Sequence, residues 1–191
     1  MTHMRGISGT VFLHKLCGAM AERGDNLSEI MAIVNRLELM ANSHGDVFSH
    51  PFVRSIGIGL NAITLPGHSE PLYDLTDSDN QFELGLGIHG EKGVSRLELP
   101  ESDVLPNIVD VMVEHLLAIT NAKQNRQCVL MLNNLGSATL LEMFNIAKET
   151  VMLLEKLNVS TLRIYVGTFM TALNVSTKDL TLTVIRCMDF Q

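Results

Sequence analysis

A histidine, His89, stands near the end of a glycine-rich run, QFELGLGIHGEKG, that covers residues 81–93. The apolar residues of this run alternate with the others, which predicts a strand whose second face carries Gly85, Gly87 and His89. Glycines leave no side chain over a sheet, and Gly90 follows the histidine, so a small molecule could approach the imidazole closely. In α/β sheets, ligands bind beyond the carboxyl ends of strands. Two interpretations stay open: a ligand site, or a histidine satisfied within a turn.

Two further predicted strand ends carry polar groups. NNLGS, residues 133–137, follows an apolar strand and precedes a helix, and YVGTFMTALN begins at Tyr165. The segment NNLGS could contribute to a ligand site, or it could be a structural turn in which an Asn side chain caps the following backbone. Neither is a phosphate-binding loop, because the chain has no glycine-lysine-serine or glycine-lysine-threonine signature.

The other six histidines indicate less chemistry. His14 and His115 lie within predicted helices and are interpreted as structural. The rest lie in polar segments, where we expect them to face solvent: His3, His44, His50 and His68. His44, Asp46 and His50 share one loop, but their spacing matches no zinc pattern, so no metal site is predicted.

Hydrophobic periodicity predicts the elements that hold these segments. Two helices come first, one over 8–22 and one from an N-cap at Asn26 to about Ala41, and a polar loop over 42–52 follows. Strands and helices then alternate, which favours βαβ units and an α/β sheet covered by helices. The predicted strands cover 53–63, 82–88, 127–134, 161–167 and 180–187, and the later predicted helices cover 102–120 and 138–157.

The composition is that of a folded globular chain. It has 191 residues, of which 46% are hydrophobic and 18% charged, enough for one core. No apolar run reaches the ~20 residues of a membrane span, and the first residues lack the apolar stretch of a signal peptide, so we expect a soluble, cytoplasmic protein. The net charge of −7 comes without a basic stripe, which argues against nucleic acid as a partner.

Four segments, in the same order, resemble the second half of the K domain of dihydroxyacetone kinases, in particular the animal type that also carries an FMN cyclase activity. They are RGISGTVFLHK, ELGLGIHGE, NNLG and VGTFMTAL, and the second is the most specific. The resemblance implies that His89 binds dihydroxyacetone covalently as a hemiaminal, and that Gly85, Gly87 and Gly90 leave room for this small ketone. It also implies that no cofactor binds this chain. In that family the phosphoryl donor is ATP with magnesium on a separate helical L domain, or a phosphorylated subunit.

The chain also departs from that family. The glycine-rich GGGSGHEP substrate loop and the acid/base histidine and aspartate of the family's first half do not occur here. Residues 42–52 look inserted, and Asn-Ala-Ile stands at 61–63 where serine-serine-cysteine is common. We therefore expect a truncated form of the K domain, with a helical linking segment at 1–41 and an α/β substrate-binding lobe at 42–191.

Two functions stay open. One is an enzyme lobe that binds dihydroxyacetone at His89 but has little kinase activity alone, because the acid/base groups are missing. The other is a non-catalytic K-like protein that pairs with a full-length K subunit, or with itself, and regulates it. We expect association in either case, as a homodimer or with an L domain or a K subunit, because loss of one lobe exposes apolar surface.

Overall fold

A computed structural model describes residues 7–42, 53–59, 69, 81–85, 87–88, 93, 95–100, 102–117, 126–136, 138–171 and 180–187. The helices in these ranges are α1 (Gly9–Arg23), α2 (Leu27–Asn42), α3 (Val104–Leu117) and α4 (Leu140–Lys156). The strands are β1 (Val53–Gly59), β2 (Gln81–Leu84), β3 (Ser95–Glu98), β4 (Arg126–Asn134), β5 (Val159–Gly167) and β6 (Leu180–Cys187). None of the helices in this part of the chain is long and apolar enough to cross a membrane.

The boundary between the first two helices follows capping chemistry. Gly24 ends α1 in the left-handed conformation, with φ at 96°, which glycine adopts without steric cost. Asn26 Oδ1 then accepts the Glu29 N–H at 3.1 Å, and Glu29 Oε2 accepts the Asn26 N–H at 2.8 Å. This reciprocal capping box confirms the predicted N-cap of the second helix.

The strands form one mixed sheet in the order β3-β2-β1-β6-β4-β5. β4 and β5 are parallel and α4 connects them, which is the βαβ unit that the alternation predicted. The other neighbouring pairs in the sheet are antiparallel. Because β1 and β4 both run antiparallel to β6, the strands β1, β4 and β5 end at the same edge of the sheet, whereas β2 runs toward the opposite edge.

Helices α3 and α4 cover one face of this sheet and form the hydrophobic core with it. The strands contribute alternate residues, namely Ile56, Ile58, Phe82, Leu84, Leu130 and Leu132. The helices contribute residues at helical spacing, namely Ile108, Val109, Met112, Val113, Leu116, Met143, Ile146, Ala147 and Leu154. Both periods were visible in the sequence, and the predicted α/β sheet with covering helices is confirmed.

Helix α1 packs on the other face of the sheet. The Gly9 N–H donates to Ser55 Oγ at 3.1 Å, and the rings of Phe12 and Tyr165 meet edge-on with centroids 5.6 Å apart. Ser55 is adjacent to the core residue Ile56, so its side chain points to the opposite face. The first helix is thus bonded to the sheet, and the predicted division of the chain between residues 41 and 42 stays a prediction.

One predicted strand is shorter than expected, and one strand was not predicted. The strand expected over 82–88 ends at Leu84, because Gly85 has φ at 81° and a strand does not continue through that conformation. The prediction that the alternation runs to Ile88 is therefore wrong beyond Leu84. The strand β3, which has no apolar alternation, forms because its residues 95–98 pair with β2.

The remaining predicted elements have counterparts with similar ends. α3 begins at Val104 and holds Pro106 in its first turn, where the missing N–H of proline has no cost. β6 has the predicted ends. The predicted strand end at 60–63, the predicted helix end at 118–120 and the loop residues 43–52 lie outside the described residues.

Candidate functional site

The glycine-rich run begins with β2, which pairs with β3 in a hairpin, and we call residues 85–93 between these strands the histidine turn. Gly85 begins this turn with φ at 81°, and its N–H donates to the carbonyl oxygen of Gly57 on β1 at 2.7 Å. Residues with a Cβ rarely adopt that conformation, so the backbone itself accounts for glycine at this position. Gly87 is buried, and His89 and Gly90 lie outside the described residues. The predicted ligand roles of all four stay predictions.

A buried carboxylate, Glu83, binds the far end of the histidine turn. Its side chain is only 1% exposed. Glu83 Oε1 accepts the Gly93 N–H at 2.9 Å, and Oε2 accepts the Arg96 Nε–H at 3.0 Å. Glu83 and Arg96 are register partners in the hairpin, on the sheet face opposite to Leu84 and the core. Sequence analysis missed this pair. Its signal is a glutamate within an apolar alternation, directly opposite an arginine once the strands are paired.

Gly93 has a steric reason to be glycine. A Cβ at this position would overlap the carbonyl oxygen of Leu84 and lie 2.7 Å from Glu83 Cγ. The absence of a side chain lets the backbone of Gly93 approach β2 closely enough to donate to the carboxylate. The histidine turn therefore begins at Gly85 and ends at Gly93. The Gly85 N–H donates to a backbone carbonyl of β1, and the Gly93 N–H donates to the Glu83 side chain of β2.

A cation on β1, Arg54, is half-buried. Its Nε is enclosed and has no hydrogen-bond partner among the described residues. Burial lowers the pKa of the Arg54 guanidinium below its ordinary value, because desolvation disfavours the charged form. Arg54 alternates with Ser55, so it shares the apolar sheet face of Ile56 that α3 covers. An enclosed donor without an acceptor lowers the stability of the fold.

Two asparagines organise the edge where β4 and β5 end. Asn133 is fully buried, and its Oδ1 accepts the N–H groups of Phe169 at 2.8 Å and Met170 at 2.9 Å. Its Nδ2 donates to the Met170 carbonyl oxygen at 2.8 Å. Asn134 makes three bonds of the same kind to the backbone of the loop that follows it. The interpretation of NNLGS as a turn with an Asn cap is therefore confirmed, and both amides are engaged by the backbone.

The histidine turn begins at the level of the sheet where β4 ends, with the strands β1 and β6 between them. The segments that follow β4 and β5 are neighbours, since Asn133 joins them. In the hairpin, Gln81 pairs with Glu98 at the open end and Leu84 with Ser95 at the closed end. β2 is antiparallel to β1, and its last residue Leu84 pairs with Ile58, one residue before the end of β1. The register thus places Leu84, Ile58, Leu180 and Asn134 in one row across the sheet, so β2 ends at the level where β4 ends.

The remaining candidate residues contribute no cluster to the described part of the chain. No group of three potential metal ligands occurs among the described residues, and His44, Asp46 and His50 lie outside them. His14 on α1 and His115 on α3 are both exposed.

Comparison with known proteins identifies the family. The Dak1 domain matches residues 1–189, nearly the whole chain. The chain belongs to the Dak1 domain family of dihydroxyacetone kinases. The triokinase/FMN cyclase of Homo sapiens is 39% identical over 186 residues, which cover 95% of this chain and 29% of that protein. This Dak1 chain therefore spans less than a third of the human relative.

Solved structures of the family share the fold of this Dak1 chain. The dihydroxyacetone kinase operon co-activator DhaQ superposes with a TM-score of 0.80 at 28% identity, over 97% of this chain and 51% of that one. The native dihydroxyacetone kinase of C. freundii superposes with a TM-score of 0.72 at 28% identity, over 99% of this chain and 31% of that one. The resemblance found in the sequence motifs is thus confirmed at the level of family and fold.

Proposed function

We propose that this chain is the dihydroxyacetone-binding part of a kinase of the Dak1 family, and that His89 holds the ketone as a covalent hemiaminal. One observation carries the proposal: the motif ELGLGIHGE, in a chain that matches the Dak1 domain, coincides with a turn whose two ends are fixed. Gly85 is bonded to Gly57, and Gly93 to Glu83, with His89 midway between them in sequence. A binding segment whose two ends are fixed loses less conformational entropy on binding than one with free ends.

The proposed covalent step needs no cofactor. A neutral ring nitrogen of His89 forms a bond to the carbonyl carbon of dihydroxyacetone, and the π pair of the C=O bond moves onto the oxygen. That oxygen takes up a proton, the other ring nitrogen releases one, and the product is a neutral hemiaminal that can revert. Gly85, Gly87 and Gly90 leave the space through which the carbonyl carbon approaches. Glycerol has no carbonyl group, so this step selects small ketones and aldehydes against polyols.

We place the phosphoryl donor on another domain or subunit. These 191 residues hold no glycine-lysine-serine or glycine-lysine-threonine loop that would bind the phosphates of ATP. ATP with magnesium on an L domain, or a phosphorylated subunit, would approach the hydroxyl of the ketone that His89 holds. Positioning and acid/base groups add many orders of magnitude to such a transfer, so we expect little turnover from the 191 residues alone.

Intact mass spectrometry tests the covalent step. The chain is incubated with dihydroxyacetone without borohydride, and the expected result is a mass increase of one ketone molecule that disappears on dilution. His89→Ala should abolish the adduct, and His115→Ala, at an exposed position on α3, should leave it unchanged. Glycerol should add no mass. An adduct that survives His89→Ala, or the absence of any adduct in the unaltered chain, contradicts the proposal.

A second candidate function is a non-catalytic partner that regulates a full-length K subunit. The TM-score of 0.80 to an operon co-activator favours it, because that protein shares the fold and is named for activation rather than for phosphorylation. A coupled kinase assay with an added L domain and magnesium separates the two functions. Little turnover by the chain is expected in either case, so the deciding quantity is the rate of a full-length K subunit in the same assay. An unchanged rate on adding the chain supports the substrate-binding part, and a changed rate supports the regulator. Light scattering of the mixture and of the chain alone reports a hetero- or homodimer.

A further inference from the structure

We infer that the Glu83–Arg96 pair is a register lock for β3: it decides which residue of this strand lies opposite Glu83. β3 stands at the end of the strand order, so among the described residues it pairs with β2 alone. In the observed register, Phe82 lies opposite Leu97 and Glu83 lies opposite Arg96. The inference concerns this hairpin and does not depend on the role of His89.

The apolar residues of β3 and of the segment after it leave two registers open. Leu97 and Leu99 are both partly buried and packed against the core, and they point to the same face because they are two residues apart. A slip by one residue would turn Leu97 away from the core. A slip by two residues would place either Leu99 or Ser95 opposite Phe82, depending on its direction. Hydrophobic patterning therefore permits one alternative, the slipped register that brings Leu99 to Phe82.

Charge decides between these two registers on the other face of the sheet. In the slipped register Glu98 would lie opposite Glu83, because it follows Arg96 by two residues. The Glu83 side chain is only 1% exposed, so a second carboxylate beside it would meet a like charge that water screens little. In the observed register, Arg96 Nε lies 3.0 Å from Glu83 Oε2 and compensates the buried charge. The slipped register thus loses an attraction and gains a repulsion.

Gly93 favours the same register. Its N–H donates to Glu83 Oε1 at 2.9 Å, so the second carboxylate oxygen is also satisfied. A Cβ at position 93 would overlap the carbonyl oxygen of Leu84. A slip by two residues would bring Ser95 toward the place of Gly93, where its Cβ would meet that carbonyl. The carboxylate therefore has both of its partners in the observed register only.

Specificity accounts for a charge at this buried position better than stability does. Replacing a buried ion pair by apolar residues of similar volume is often neutral or stabilising, whereas buried polar groups are known to fix the register of paired elements. The register also sets the length of the connection between the strands. With Leu84 opposite Ser95, residues 85–94 connect the paired residues, and the slipped register would lengthen this connection by two residues.

The experiment combines Glu83→Met with Arg96→Met in the full 191-residue chain and determines the register by NMR. In the unaltered chain, the cross-strand backbone NOEs of residue 83 should reach residue 96 and not residue 98. The double variant should show both sets with comparable intensity, because its apolar residues fit both registers. The control combines Lys148→Met with Glu149→Met, which removes an ion pair on α4 and should leave the single register unchanged.

A second variant keeps the buried carboxylate and is useful if the first does not fold. Arg96→Glu combined with Glu98→Arg exchanges two charges between exposed positions of β3 without changing the composition. The NOEs of residue 83 should then move from residue 96 to residue 98, where the cation now lies. NOEs that stay at residue 96 alone in either variant overturn the inference and leave the proposed function standing. Loss of both sets also overturns it, because the charges then hold β3 on the sheet instead of choosing its register.

Discussion

Replacing Asn133 by alanine removes three hydrogen bonds that join the end of β4 to the segment after β5. The side chain is fully buried, and its partners are backbone groups of Phe169 and Met170, more than thirty residues further along the chain. Asn134 offers a matched control. It also makes three side-chain hydrogen bonds to backbone, but all of them reach partners within four residues, in the loop before α4.

The expected loss for Asn133→Ala follows from these contacts. Each hydrogen bond contributes about 1 kcal/mol net, and backbone groups left enclosed without a partner add to the loss, so we expect the free energy of unfolding to fall by about 3 kcal/mol. Asn134→Ala should cost only about 1 kcal/mol, because its loop borders the exposed Gly136 and water can replace the amide. Asn133→Asp should cost at least as much as alanine, since it turns the donor into an oxygen that faces the Met170 carbonyl.

Urea denaturation of the three variants measures these differences, with the slope expected to stay at the value of the unaltered chain. Hydrogen exchange adds a local reading, because the Phe169 and Met170 amides should exchange faster in Asn133→Ala and stay protected in Asn134→Ala. A loss below 1 kcal/mol for Asn133→Ala, or equal losses for the two alanine variants, would refute the view that the Asn133 amide is the main connection between these segments.

Two further predictions concern α4 and β1. Thr139→Ala should lower the free energy of unfolding by about 1 kcal/mol, because Thr139 and Glu142 form a reciprocal capping box at the start of α4. Thr139→Ser keeps a hydroxyl and should restore most of the loss. Equal stability of all three proteins would contradict a capping role. Arg54→Met should raise the free energy of unfolding by up to about 1 kcal/mol, because it removes an enclosed donor that has no acceptor among the described residues. In the same urea experiment, the exposed Arg163→Met serves as the control that should change little, and a loss of stability in Arg54→Met would show that this guanidinium is satisfied.

The fold was predictable where its signals are local. The capping box of Asn26 and Glu29 fixes the start of α2 through atoms three residues apart, and Gly24 ends α1 through its own φ. Such signals lie within one turn of the chain and can be read without knowing the neighbours. β3 has no local signal, since Ser95, Arg96 and Glu98 are exposed and only Leu97 turns inward. This segment is a strand because it pairs with β2, and such pairing cannot be predicted from the sequence of either segment alone.

The candidate site was predictable in its residues but not in its geometry. The motif indicated Gly85, Gly87 and His89 as candidate site residues, and the glycines were interpreted as leaving space for a ligand. The structure gives Gly85 a backbone reason, a φ of 81°, and adds Gly93 with a steric reason, so the glycines of this run cannot all be counted as ligand contacts. Glu83 lies on the sheet face opposite to Leu84, as strand alternation requires, yet its contacts depend on an N–H group ten residues later and on Arg96 across the hairpin. Such a buried carboxylate can be interpreted only in the folded hairpin, because the Gly93 N–H and Arg96 are ten and thirteen residues away in the sequence and meet Glu83 only when β2 and β3 pair.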